Sequence, residues 1–370
     1  MSGLIHTMRA ANFNRQNIAK QFKLEEAKSG LEIAPVLKAA TLGLLSTLKS
    51  LLAEGADVNT RYGRDEISVL GAAALMGHLE IMRALIEHGV DVNGVSSSGE
   101  TALYRAVIYG RPDLLVDVIA LLLSAGAYID ARTTQGSTPL YSAAEYGLLA
   151  ATRALLAAGA DATLRANGAF KEAPLDVAAR LGRVEVVREL VRHGVDLDAS
   201  PRLSGFTALY HAVFSNQAGV VETLVEAGAS VTVQAFRCDT LTHFAATHLS
   251  PQITLALLRH GAPVQALQGD GVGPCNEQPL HVAARKGGME GAAEVVDLLL
   301  RWGADESELN RGGKTAVQVV GDTADADRVR ELLANAPADR AWRRRGLLLL
   351  CLARNRSMRI STRVAREGKG

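Results

Sequence analysis

Along residues 137–162, STPLYSAAEYGLLAATRALLAAGADA, apolar positions gather into two short runs, each closed by a glycine. Thr138 is a good N-cap, and Pro139 follows at the first helical position, where a missing N–H costs nothing. A helix is therefore predicted from Pro139, ending where Gly147 can adopt the left-handed conformation. Its small residues Ser142, Ala143 and Ala144 permit a close neighbour. A second helix is predicted to carry Leu149, Thr152, Leu155 and Leu156 as a narrow apolar stripe ended by Gly159. Neither stripe can be buried by its own helix, so the pair has to stack on copies of itself.

Such copies run along most of the chain. The glycines that close each second run are Gly55, Gly89, Gly126, Gly159, Gly194, Gly228, Gly261 and Gly303, spaced by 34, 37, 33, 35, 34, 33 and 42 residues. The first runs open with TPLYSA at Thr138, TALYRA at Thr101, APLDVA at Ala173, TALYHA at Thr207 and QPLHVA at Gln278. More degenerate openings start at Ala34, Ser68, Thr240 and Thr315, giving nine units, eight of them complete. The period, the T-P-L-H-x-A pattern, and the GADVN and GVDVN at Gly55 and Gly89 together resemble the ankyrin-repeat family.

The resemblance implies an all-α solenoid of helix-turn-helix units with short β-hairpin-like fingers. Residues 1–30 are expected to form a lead-in, 31–335 the repeat array, and 336–370 a capping helix and basic tail. In the family, the fingers and the two residues after the Ala-Ala of each first helix line a concave groove. Transferred position by position, the second rule selects Leu75, Met76, Ile108, Tyr109, Glu145, Tyr146, Arg180, Phe214, His248, Arg285 and Lys286 among others. Finger positions include Ile67, Glu100, Glu172, Phe206 and Lys314, with Phe170, Phe236 and Arg237 nearby. Six of the chain's 16 aromatic residues fall at or next to these positions. A partner site is thus expected from Thr101 to Thr240, aromatic in the middle, with a basic end at Arg285, Lys286, Arg311 and Lys314. The competing expectation is that individual rings turn inward and join the core. Three more rings, Tyr104, Tyr141 and Tyr210, replace the family's histidine and are expected to be buried, their hydroxyls inheriting its hydrogen-bonding role. Asn59 and Asn93, in the DVN signatures, are expected to stabilise the turn after the second helix.

Departures from the period mark two further places. The units at Thr101 and Gln278 have four extra residues between cap and closing glycine, close to one helical turn, so either the second helix lengthens or the loop bulges. The stretch QGDGVGPCNEQ, ending at Gln278, makes a longer finger, expected to be a tolerated surface insertion.

Composition fits this reading. The chain is 48% hydrophobic but only 4% aromatic, which suits Ala/Leu-rich repeats better than a large globular core. Its 370 residues do not imply several domains, because repeat arrays grow linearly. Three widely spaced cysteines, Cys238, Cys275 and Cys351, argue for a reducing compartment and against a disulfide frame or zinc site. A net charge of +1 hides an asymmetry: residues 339–370 carry +8, so the remainder is near −7. Within that tail, Trp342 and Leu347 to Leu352 are expected to cap the last repeat. Its functional alternatives are a nuclear-import signal, a contact for acidic lipid or a site for anionic partners. Arg9, Arg15, Lys20 and Lys23 precede the first acid, Glu25, which admits a transit peptide, but a lead-in to the first repeat is the simpler reading. No apolar run approaches the roughly 18–20 residues that a membrane-spanning helix needs.

The chemistry of catalysis is not legible. No H-E-x-x-H, C-x-x-C, G-x-S-x-G or Walker loop occurs, and His243 and His281 occupy the structural histidine of the repeat. The glycines of GDGVGP follow no predicted strand, so they make a weak nucleotide signal. The expectation is a non-enzymatic scaffold or adaptor without cofactor or metal, taking a protein partner. Its array is too acidic for nucleic acid, and a membrane could be touched only through the tail. The alternatives are a substrate receptor of a ubiquitin ligase or a membrane-surface adaptor. The expected location is the cytoplasm, with the nucleus second.

Overall fold

Helix pairs recur at the predicted period. The computed structural model describes residues 34–62, 66–167, 171–200, 206–232, 240–265, 277–310, 312–321 and 326–337. The chain divides into one unit of residues 1–178 with 183–195 and a second of 179–182 with 196–370.

In the first unit the pairs are α1 (Pro35–Leu42) with α2 (Leu45–Ala53), α3 (Val69–Met76) with α4 (Leu79–Glu87), α5 (Ala102–Tyr109) with α6 (Leu115–Ser124), and α7 (Pro139–Tyr146) with α8 (Leu149–Ala157). Helix α9 (Pro174–Arg180) precedes α10 (Val184–Arg192). The second unit holds α11 (Ala208–Phe214) with α12 (Ala218–Glu226), α13 (Leu241–His248) with α14 (Pro251–Arg259), and α15 (Pro279–Arg285) with α16 (Ala292–Arg301).

Local chemistry sets the boundaries. The Thr101, Thr138 and Thr207 hydroxyls accept from the backbone N–H of Tyr104, Tyr141 and Tyr210 at 3.2, 3.1 and 3.2 Å, so these three first helices are capped as their sequence indicated. Gly147 ends α7 at φ +74°, and Thr152, Leu155 and Leu156 of α8 are buried. The position held by Gly147 is left-handed in Asn216 (φ +55°) and Leu249 (φ +51°) as well, two side chains that bear this conformation less readily than glycine. Burial of Leu249 offsets its strain.

The four extra residues divide unequally. Compared with α7–α8, the connection before α6 gains three residues and α6 gains one, reaching ten. The connection before α16 gains four, because α15 ends one residue earlier, and α16 again reaches ten. Gly291 closes this second loop at φ +83°. A Cβ there would lie 2.4 Å from the Leu249 carbonyl oxygen.

The core of each unit is a row of aliphatic side chains between successive pairs, with Leu37, Leu70, Leu85, Leu103, Leu140 and Leu155 fully buried in the first. Each such side chain contributes about 1.5–3 kcal/mol relative to exposure. In the second unit, Leu280, Val295, Val296 and Leu299 meet Val329, Leu333 and Ala336 from a helix that includes residues 327–337. That helix covers the last described pair. The predicted capping segment at Trp342 and Leu347 to Leu352 lies outside the described residues.

The fingers are short turns. Strands β1 (Arg61–Tyr62) and β2 (Ile67–Ser68) form one antiparallel hairpin, pairing Arg61 with Ser68 and Tyr62 with Ile67. The next two close through Ser96 N–H to Glu100 O and Thr133 N–H to Ser137 O, both 3.0 Å. Adjacent fingers are joined by Thr134 N–H to Ser98 O (3.0 Å) and Asn167 N–H to Gln135 O (3.1 Å). Gly136 (φ +74°) makes that approach possible, since a Cβ there would stand 2.5 Å from Asn167 Cγ.

Asn59 and Asn93 act over a longer range than expected. The Asn59 side-chain oxygen accepts from Asp91 N–H at 2.8 Å; that of Asn93 accepts from Tyr128 N–H at 2.8 Å, while its amide donates to Gly126 O at 3.0 Å. They bridge turns of successive repeats. Asp130 and Asp198 take over at the same position, accepting from Asp161 N–H (3.2 Å) and Ser230 N–H (2.9 Å).

Candidate protein-interaction surface

The residues predicted to line a groove separate into two surfaces, one in each unit. In the first, the earliest positions are not available. Leu75, Met76 and Ile108 are buried, and Tyr109 is only 9% exposed. Every residue of α3 and α5 is buried, because Gly71 and the alanines of α3 let α5 approach closely. The expectation of exposed groove side chains therefore fails at these four positions, and the ring of Tyr109 has turned inward. Its hydroxyl donates to Glu100 at 3.3 Å. The other Glu100 oxygen pairs with Arg105 Nη2 at 3.0 Å, and the two side chains are 13% and 2% exposed. Glu100, predicted on a finger facing the partner, thus neutralises a buried guanidinium.

Tyrosines in the histidine position reach new partners. The Tyr104 hydroxyl meets Ser142 Oγ at 2.9 Å, and Tyr141 donates to the Glu172 carboxylate at 3.4 Å. The true histidines of the second unit bond backbone instead: His243 Nε2 to Glu277 O at 2.9 Å and His281 Nε2 to Lys314 O at 3.1 Å. A phenol is longer than an imidazole, so its hydroxyl passes the carbonyl and finds a side chain. Burial pushes the Tyr104 hydroxyl up to about 12, with Glu100 and Glu145 adding to the rise. Burial, then the Glu100 charge, also raises Tyr109. Both phenols stay neutral at physiological pH.

Beyond this buried network the surface opens. Tyr146, at the end of α7, is 50% exposed, and Glu145 beside it is half-buried. A cleft of about 400 Å³ is lined by Glu100, Tyr104, Ser137, Tyr141, Ser142 and Glu145 among others. Hydroxyls and carboxylates fill its walls, so it suits polar or cationic groups. Asp176 takes the histidine position in α9. Burial pushes its carboxyl up to about 6, against the pull of Ala173 N–H (2.9 Å) and the Arg165 guanidinium (2.7 Å). Arg180, at the end of α9, is half-buried.

The second surface is aromatic. Phe214 is 50% exposed; its ring stacks on Tyr210 at 5.8 Å and meets Phe244 edge-on at 5.8 Å. Tyr210 also contacts Phe206 at 4.9 Å and Phe244 at 5.4 Å. Tyr210, expected in the core, is only half-buried and forms the centre of this group. The spacing of Tyr210 and Phe214 places two rings on one face of α11, with Phe206 just before its Thr207 cap, a signal present in the sequence. Phe244 carries no such signal, since it joins them from the next repeat. Exposed His248 contacts the Phe214 carbonyl oxygen through Nε2 at 2.9 Å. Lys286 donates to Thr247 O at 2.5 Å, and Lys314 is exposed on its finger. Arg285 forms an ion pair with Glu277, which also accepts from Asn310. Phe170, Phe236, Arg237 and Arg311 lie outside the described residues.

Among the described residues no group of histidine, cysteine or carboxylate side chains could hold a metal ion, and no helix is long and apolar enough to cross a membrane.

Capped helix pairs, bridged turns and stacked fingers define an ankyrin-repeat architecture, and comparison with known proteins agrees. The family description "Ankyrin repeats (3 copies)" matches residues 36–133 and 140–235, and "Ankyrin repeat" matches 276–311. The chain belongs to the ankyrin-repeat family. It is 30% identical to the mouse B-cell lymphoma 3 protein homolog over 203 residues, 54% of this chain and 42% of that protein. Human ankyrin repeat and SOCS box protein 16 is 36% identical over 115 residues, 31% of this chain and 24% of that protein. Human ankyrin repeat and SOCS box protein 6 is 28% identical over 249 residues, 63% of this chain and 55% of that protein. The chain thus spans between a quarter and about half the length of these relatives. Ankyrin repeats are protein-interaction modules, which sets the class of function.

Proposed function

We propose that the chain is a non-catalytic scaffold or adaptor that binds a protein partner on the inner faces of its first helices and on its fingers. The observation that carries this reading is the half-exposure of Tyr146 and Phe214, large rings held at the ends of first helices in a chain poor in aromatics. Rings of this kind are the usual anchors of protein interfaces, and a rigid repeat lowers the ordering cost of binding. Tyr109 drops out of the contact set, while Glu145, Arg180, Phe206, His248, Lys286 and Lys314 stay in it.

The test is affinity purification with mass spectrometry, comparing the wild type with Tyr146→Ala, Phe214→Ala after their melting curves are matched. The double variant should lose specific partners, with binding weakened by roughly 2 kcal/mol or more and stability barely moved. Partners that persist would exclude these surfaces. One specific observation favours a second reading: two human relatives are named for a SOCS box beside their ankyrin repeats. A substrate receptor of a ubiquitin ligase would additionally co-purify ligase subunits. A tail that touches membranes would instead show as liposome co-sedimentation of the full chain but not of a chain ending at Ala336.

A further inference from the structure

The first helices α11, α13 and α15 read ALYHAVF, LTHFAATH and PLHVAAR and contain no aspartate or glutamate. Their ionisable side chains, apart from the Tyr210 phenol, are four histidines and Arg285. Helices α11 and α13 display the Tyr210, Phe214 and Phe244 rings, with exposed His248 at the end of α13. Arg285 is answered by Glu277, and that pair is closed by Asn310. Lys286 is different. Its ammonium rests on the Thr247 carbonyl oxygen, one residue before His248, and among the described residues it has no carboxylate partner. An aromatic surface is thus bordered by a cation whose charge no described carboxylate of this unit neutralises.

We propose that this surface takes an acidic protein segment anchored by a bulky apolar side chain, the anchor seated on Phe214, Tyr210 and Phe244 and a carboxylate meeting Lys286. The proposal rests on the reading of the inner faces as the protein-binding surface, and it adds the chemistry of the partner. Charge complementarity at contact selects acid over base: a carboxylate that reaches Lys286 completes an ion pair, and a lysine or arginine there is repelled. The rings supply area that excludes water around the pair. The first unit offers the opposite environment, with Glu100, Glu145 and Tyr104 around its cleft.

A random 12-residue peptide library displayed on phage, panned on the full chain, tests the assignment. Enriched peptides should carry net negative charge and at least one Trp, Phe, Leu or Met. A synthetic copy should lose at least tenfold in affinity against Phe214→Ala and against Lys286→Glu, and should weaken as salt is raised. Lys286 is half-buried with its ammonium contact exposed, so its variant keeps the test decisive even if Phe214→Ala lowers stability. Neutral or basic peptides that still depend on Phe214 overturn the acidic assignment and leave the scaffold reading standing. Peptides lost with Tyr146→Ala but unmoved by Phe214→Ala and Lys286→Glu do the same. Peptides indifferent to all three substitutions, or no enrichment at all, count against both. Binding to phosphatidylserine vesicles or to a single-stranded oligonucleotide that Phe214→Ala abolishes, without peptide enrichment, replaces the protein segment with another class of ligand.

Discussion

The same positions of one repeat carry opposite chemistry in the two units. In the first, the first helices bear tyrosine hydroxyls tied to carboxylates: Tyr109 to Glu100, Tyr141 to Glu172, and Glu100 in turn to the buried Arg105. In the second, histidines bond the backbone of the next finger, and rings gather where the first unit has its polar network. A buried polar network specifies one arrangement because each of its groups is costly to leave unpaired. A half-exposed ring cluster has no such demand and can trade its contact with water for contact with a partner. A repeat pattern that is nearly uniform thus carries a buried polar network in one unit and a half-exposed ring cluster in the other.

Removing one carboxylate from each unit breaks this comparison most strongly. Glu100→Ala leaves the Arg105 guanidinium, 2% exposed, without its ion-pair partner, and should cost about 3–5 kcal/mol. Glu277→Ala frees Arg285, which is 53% exposed and can turn to water, and should cost no more than about 1 kcal/mol. Urea unfolding of both variants decides it, and equal losses would remove the distinction between a buried and an exposed guanidinium.

The fingers give the next effect. Gly136→Ala forces a left-handed alanine against Asn167 and should destabilise by about 1–2 kcal/mol. Gly126, at φ +87°, has open space for 4 Å around the place a Cβ would take, so Gly126→Ala adds strain without a clash and should cost less. Melting temperatures in that order would confirm that fingers of the first unit are held by close approach and not by backbone conformation alone.

The smallest effect depends on pH. Asp176 titrates near 6 when folded, above its ordinary value of 3.8, so its ionisation opposes folding. The penalty is fully present above pH 6 and is relieved as pH falls toward 4. Between pH 7 and 5 the wild type should therefore gain about 1 kcal/mol relative to Asp176→Asn. A constant gap across that range would mean that Arg165 and the Ala173 N–H already offset burial.

Much of the fold was legible from residues 137–162 alone. Thr138, Pro139, Gly147 and Gly159 mark helix ends by interactions within a few residues, and such interactions repeat wherever the motif does. The surfaces were legible only in part. Tyr146 and Phe214 are exposed as the repeat position indicated, but Tyr109, at the same position as Tyr146, is buried. No rule of position separates those two, because the difference arises in how closely α3 approaches α5. Phe244 escaped notice for a related reason: it lies 30 residues from Phe214 in sequence and reaches it only when successive repeats stack.

The sequence by itself determined the repeat, its period and the ends of its helices, since each follows from local hydrogen bonding and from apolar spacing that recurs. The tertiary structure decided which rings face water, that Tyr104 and Tyr141 bond side chains where histidines bond backbone, and that inserted residues go mostly to the loop and only one to the second helix. Those outcomes depend on distances between repeats, which are set by the bulk of side chains on both neighbours at once.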